Sequence, residues 1–140
     1  MAILFSIPGK PQGKARPRFT KNGHTFTPHQ TAEYEQKIRQ EFARQAPPDF
    51  QPFTGPVRAW VLALFPVPSS YSRKRREALA GTPYTHKPDA DNIAKAVLDA
   101  LNGYAYTDDS QIQELAVIKR YAPACVDPSV RVLIEERLEG

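Results

Sequence analysis

Val57-Arg-Ala-Trp-Val-Leu-Ala-Leu-Phe65 is a nine-residue run in which Arg58 is the only charged residue. Such a short, almost wholly apolar run reads as a central strand buried on both faces. The rest of the fold is read outward from it. Upstream, Asp49 to Pro56 is a proline-rich connector, preceded by a helix from Thr27-Pro28 to about Ala46 whose buried stripe is Tyr34, Ile38 and Phe42. Before that helix, Asn22-Gly23 suits a two-residue hairpin turn between Arg18–Lys21 and His24–Thr27. Ile3, Phe5 and Ile7 alternate into an opening strand that Pro8-Gly9 stops. Downstream come a short basic helix over Ser70–Leu79, a loop over Gly81–Pro88, and a helix from Asp91 to Asn102 capped by Gly103. Ile112–Tyr121 and Val130–Ile134 complete the strands. Helices and strands mix without regular alternation, so the expected class is α+β: a single domain over 1–140, with one mixed sheet and helices packed on it.

Composition limits what such a domain does. With 140 residues, 41% of them apolar, the chain can bury a modest core, and its 14 prolines and 7 glycines stay below the low-complexity range. No apolar run approaches the roughly 20 residues of a membrane span, and the N-terminus has no charged n-region with a cleavage site. Cys125 is the one cysteine, which excludes an internal disulfide or a cysteine metal cluster and fits a reducing cytoplasm; its own role is that of a small filler near the surface. The net charge of +4 is unevenly spread. Lys10, Lys14, Arg16, Arg18 and Lys21 precede the first acidic residue, Glu33, and Arg73-Lys74-Arg75-Arg76 form a second basic run. Between them and the C-terminus lies an acidic centre with Asp89, Asp91, Asp99, Asp108, Asp109 and Glu114. Basic flanks around an acidic centre suggest a polyanion gripped by the flanks and treated by the centre.

On the helix that starts near Asp91, Ile93, Val97, Ala100 and Leu101 share one side, while Asp91, Lys95 and Asp99 share the other. Asp89 lies beside the helix N-terminus, where one aspartate serves as a cap and two exceed that need. If the segment Tyr104–Thr107 turns back along the helix, Asp108 or Asp109 meets Asp89 and Asp91. Three carboxylates so gathered need a cation, and oxygen-only ligands suit Mg²⁺ or Mn²⁺. Helix capping plus a solvated charged face is the alternative reading of the same residues. A Ca²⁺ helix-loop-helix is excluded, because its loop would need glycine at Ala94 and glutamate at Ala100. His24, His29 and His86 read as solvated.

The string Lys87-Pro-Asp-Ala-Asp-Asn-Ile-Ala-Lys-Ala-Val-Leu-Asp-Ala-Leu-Asn102, followed by Asp108-Asp-Ser-Gln-Ile112, resembles the RusA family of Holliday-junction resolvases. The N-terminal run Gly9–Gly23 and Thr31-Ala-Glu-Tyr34 resemble the version found in phage and prophage members. The resemblance implies a homodimeric, Mg²⁺-dependent endonuclease, with Mn²⁺ as a substitute, that nicks branched four-way DNA symmetrically. By motif position it implies that Asp89, Asp91 and Asp109 are the essential acidic, metal-binding residues and Lys95 the essential lysine, with Asp99 either structural or supporting the metal ligands from behind. Lys95 would hold the scissile phosphate or position the attacking water; its plainer role is an i, i+4 ion pair with Asp91. Lys10, Lys14, Arg16, Arg18, Lys21, Arg73, Lys74, Arg75 and Arg76 are expected to grip DNA phosphates, and Phe19, Phe26 and Tyr84 to offer stacking surfaces. A flap or fork nuclease, or a DNA-binding adaptor with a structural acidic cluster, are the competing functions.

Overall fold

The computed structural model describes residues 1–14 and 29–137, and of 18–19 and 25–26 the backbone alone. The Asn22-Gly23 turn, Arg16 and Lys21 lie outside the described residues. The strands flanking that turn do pair, β2 (Arg18–Phe19) antiparallel to β3 (Thr25–Phe26), but Arg18 stands opposite Phe26 and Phe19 opposite Thr25, one residue off the register that a two-residue Asn22-Gly23 turn requires.

The main sheet has the order β1 (Ala2–Pro8), β6 (Ser129–Glu136), β4 (Val57–Phe65), β5 (Ile112–Tyr121). β4 pairs antiparallel with β6 and parallel with β5, so the sheet is mixed and the fold is α+β. The apolar run is thus central in hydrogen bonding, yet its faces differ. Val57, Ala59, Val61, Ala63 and Phe65 are buried, while on the opposite face Trp60 is 43% exposed, Arg58 and Leu62 are half-buried, and Leu64 alone, at the end of the strand, is buried. The expectation of burial on both faces is therefore corrected: helices cover one face only. On the open face, Leu4 aligns with Leu133, Leu133 with Trp60, and Trp60 with Ala116, making an apolar row across all four strands. That row gave β4 the composition of a doubly covered strand.

α1 (His29–Gln45) buries Tyr34, Ile38 and Phe42 at the expected spacing. Gln45 fastens it to β1: its Oε1 accepts from Ser6 N–H at 3.0 Å and its Nε2 donates to Ser6 O at 2.7 Å. Phe5, Phe42, Phe50 and Phe53 continue as a chain of edge-to-face rings with centroids 5.2–5.6 Å apart. The stretch 49–56 is therefore more than a connector, since its two phenylalanines enter the core and Phe53 N–H donates to Ala105 O at 2.9 Å. α2 (Arg73–Leu79) starts three residues later than expected, where the Ser72 hydroxyl caps it by accepting from Arg75 N–H at 3.2 Å, and it buries no residue. α3 (Ala90–Leu101) buries Ile93, Ala94, Ala96, Val97, Ala100 and Leu101 against the covered face. No helix among the described residues is long and apolar enough to cross a membrane.

Candidate active site

α3 begins on the backbone of Asp89, whose carbonyl accepts from Asn92 and Ile93 N–H, both at 3.1 Å. The Asp89 carboxylate makes no capping bond; it sits 3.1 Å from Lys87 Nζ in an exposed pair. The approach to this point, which includes a cis Lys87–Pro88 peptide, is pinned from the sheet: Lys119 Nζ donates to His86 O at 2.7 Å and to Pro88 O at 2.8 Å. Tyr84 N–H donates to Lys119 O, and its ring stacks on Phe65 at 3.7 Å, with burial raising the phenol pKa. Tyr84 is thus a packing residue, since one face of its ring is already covered. Along α3, Asp91, Lys95 and Asp99 are exposed as the periodicity requires. Lys95 has no ion-pair partner among the described residues, so the pair with Asp91 that stood as the alternative to a catalytic role is not formed.

The far end of α3 is built differently. Gly103, with φ of +84°, turns the chain, and its N–H donates to Tyr106 O at 2.8 Å. The buried Tyr106 hydroxyl donates to Leu98 O at 2.7 Å; burial raises its pKa, helped by the charges of Asp109, Asp99 and Asp108. Asp108 caps a single 3₁₀ turn over Asp109–Gln111 by accepting from Ser110 N–H at 3.0 Å, and the Ser110 hydroxyl together with that N–H holds its carboxyl below the usual range. Gln111 closes the box: its Oε1 accepts from Asp108 N–H at 2.8 Å, and its Nε2 donates to the carbonyls of Phe53 and Gly55, both at 2.9 Å. Asp109 is the member of the adjacent pair left without a cap to make.

These two ends do not meet within the chain. The helix has 12 residues, about 18 Å at 1.5 Å per residue, and the Asp108-Asp109 turn stands at its C-terminal end, beside Leu98 and Phe53. The expectation that Tyr104–Thr107 runs back to Asp89 and Asp91 fails on length, because those few residues are used up in the tight turn at Gly103. Among the described residues no three His, Cys, Asp or Glu side chains are placed to hold a metal ion.

Residues 8–135 match the model of the family described as endodeoxyribonuclease RusA. The chain belongs to the RusA family. It is also 36% identical over 141 residues, 96% of each chain, to a Bacillus subtilis (strain 168) protein described as uncharacterized protein YqaN. The RusA match covers both ends of α3 and all of the basic flanks.

Those flanks divide into engaged and free cations. Lys14 is held inside the fold, 3.3 Å from Glu35 Oε1 and hydrogen-bonded to Asp99. Lys10 is exposed and lines a depression with Gln30, Glu33 and Lys37. On α2, Arg73 pairs with Glu77 at 3.0 Å, Arg75 lies over the Tyr71 ring at 3.6 Å, Lys74 is exposed, and Arg76 lines a cavity of about 580 Å³ with Tyr71 and Cys125. Arg18 is described only as backbone. Sequence reasoning passed over Lys119 as the residue that seats the Asp89 loop and Gln111 as the clasp of the Asp108 turn. Gln111 stood inside the quoted motif, whereas nothing in the spacing marked Lys119.

Proposed function

We propose that this chain, as a single domain over residues 1–140, is a structure-specific endonuclease that nicks four-way DNA junctions symmetrically, in the manner of phage-type RusA proteins acting on the bacterial nucleoid. The RusA match over nearly the whole chain supports it, together with an exposed Asp91 and Lys95 that no side-chain bond occupies among the described residues.

The donor chemistry of Asp89, Asp91 and Asp109 fits Mg²⁺ or Mn²⁺, hard cations that take oxygen ligands and complete their shell with water and phosphate. One chain presents only the first two together, so the proposed site needs a second copy. β5 is an edge strand of ten residues, and Leu115 beside it, on the face that carries α3, is 46% exposed. Pairing β5 with its two-fold mate would satisfy unpaired backbone groups and lay the two α3 helices antiparallel. Each Asp89–Asp91 end would then stand by the Asp109 end of the partner, twice per dimer, as two nicks require. The bound metal supplies charge neutralisation at the phosphate and an acidified water. Lys95, one turn beyond Asp91, donates to the scissile phosphate as negative charge builds on it. Asp89 and Asp91 would supply two of the three carboxylate ligands, and Lys119 holds the loop that presents Asp89.

The experiment is cleavage of labelled four-way, flap and linear duplex DNA by the purified protein with Mg²⁺. Paired nicks confined to the four-way substrate are expected. Preferred cutting of flaps would assign the flap nuclease instead, and tight binding without cutting in either metal would assign an adaptor.

A further inference from the structure

The N-terminal basic segment reaches α3 through a fixed point. Lys14 N–H donates to Asn92 O at 2.9 Å, one residue from Asp91. Gly13 lies so close to the helix start that an added Cβ would fall 2.7 Å from Cβ of Pro88 and 3.1 Å from Cβ of Asn92. The Lys14 side chain, 25% exposed, then bridges two helices: it bonds Asp99 on α3 and stands 3.3 Å from Glu35 on α1. Glu35 Oε1 is shut off from solvent and makes no hydrogen bond of ordinary geometry, so Lys14 supplies its compensating charge. Partial burial pulls the Lys14 pKa down, but the bond to Asp99 and the charges of Asp99 and Glu35 outweigh it, and the net direction is up.

We infer that Lys14 is a positioning residue, not a phosphate contact: it fastens the chain at Gly13–Lys14 to α3 and α1, one residue from Asp91 along the helix. Arg16 and Arg18 follow within four residues, a reach of no more than about 14 Å for extended chain, so where the anchor sits bounds where those guanidinium groups can meet DNA. Asp99 is its receptor on the helix. That accounts for an aspartate two turns from Asp91 that needs no share in the chemistry. The inference rests on the nuclease reading for its DNA consequence and on the bonds above for the fastening itself.

Asp99→Asn separates the two roles by sign. A lysine that touches phosphate is freed by the loss of its carboxylate partner, and one negative charge near DNA disappears, so affinity would hold or rise. A fastener is loosened. The expected result is amide exchange at Lys14 faster by at least about tenfold in the DNA-free protein, and a KM for junction DNA raised about fivefold with the loss in KM rather than in kcat. Gly13→Ala, which pushes the segment off Pro88 and Asn92, should reproduce both changes, and Lys14→Arg, which keeps charge and reach, should restore both measurements to near wild type. Unchanged exchange at Lys14 in Asp99→Asn, or tighter junction binding, would overturn the inference. Faster exchange in a protein that cuts no DNA would leave the fastening in place and remove the nuclease reading instead.

Discussion

Among the described residues, Asp91 and Lys95 at the N-terminal end of α3 make no side-chain bond and the Asp89 carboxylate makes only an exposed pair with Lys87. At the C-terminal end Asp99 is bonded to Lys14, Asp108 caps a turn, and Gln111 joins that turn to Phe53 and Gly55. Similar side chains thus serve opposite needs on one helix. Where the protein's own groups satisfy a carboxylate, removing it costs stability; where they do not, its removal should cost function and leave the fold alone.

The largest expected effect lies at the free end. Asp91→Asn keeps the side chain's size but gives Mg²⁺ a poor ligand, so nicking should be nearly abolished while the melting temperature holds and junction affinity in chelator stays equal or rises. Excess chelator should abolish cutting by the unaltered protein, and Ca²⁺ should restore little of it. A gel shift in chelator beside a nicking assay and a thermal melt reads all of this; parallel loss of affinity and melting temperature would return Asp91 to a structural role.

Lys95→Ala comes next. As a donor to the transition state its loss should slow single-turnover nicking by roughly 10²-fold, the scale for one oriented donor, with no change in melting because it has no partner to abandon. A loss under about threefold would make Lys95 a plain surface cation.

A third test asks whether the two ends meet across chains. Asp91→Asn and Asp109→Asn proteins should each be inactive alone; mixed equally and allowed to exchange subunits, they form heterodimers in which one site is whole, so about a quarter of the wild-type sites should return. If no activity is regained, the three carboxylates are not shared between subunits.

The smallest effect falls at the engaged end. Gln111→Ala frees the carbonyls of Phe53 and Gly55 and the Asp108 N–H, and should lower stability by about 1–3 kcal/mol in a denaturant melt.

The periodic parts of this architecture were legible from residues alone. α1 and α3 carry strong 3.6-residue stripes, and β1 alternates cleanly, so element type and the outward row Asp91–Lys95–Asp99 followed from spacing. The faces of β4 were misread because Trp60 and Leu62 are apolar on a side that no helix covers, and composition cannot separate a covered face from an open apolar one. The path after α3 was misread for another reason: Gly103 announces a turn, but how tightly it closes depends on Tyr106 bonding back to Leu98. Lys14 looked like its basic neighbours because its partners lie 21 and 85 residues away in sequence.

The open face has a consequence for observation. The chain holds a single tryptophan, Trp60, at the centre of the uncovered apolar row, with its indole N–H donating to Glu114 at 2.9 Å and the Arg58 guanidinium over its ring. It lies across the sheet from α3, so its emission is an internal optical reporter for whatever covers that face. DNA bound along α3 leaves this colour unchanged, while anything that seats itself on Leu4, Leu133 and Trp60 shifts it to the blue.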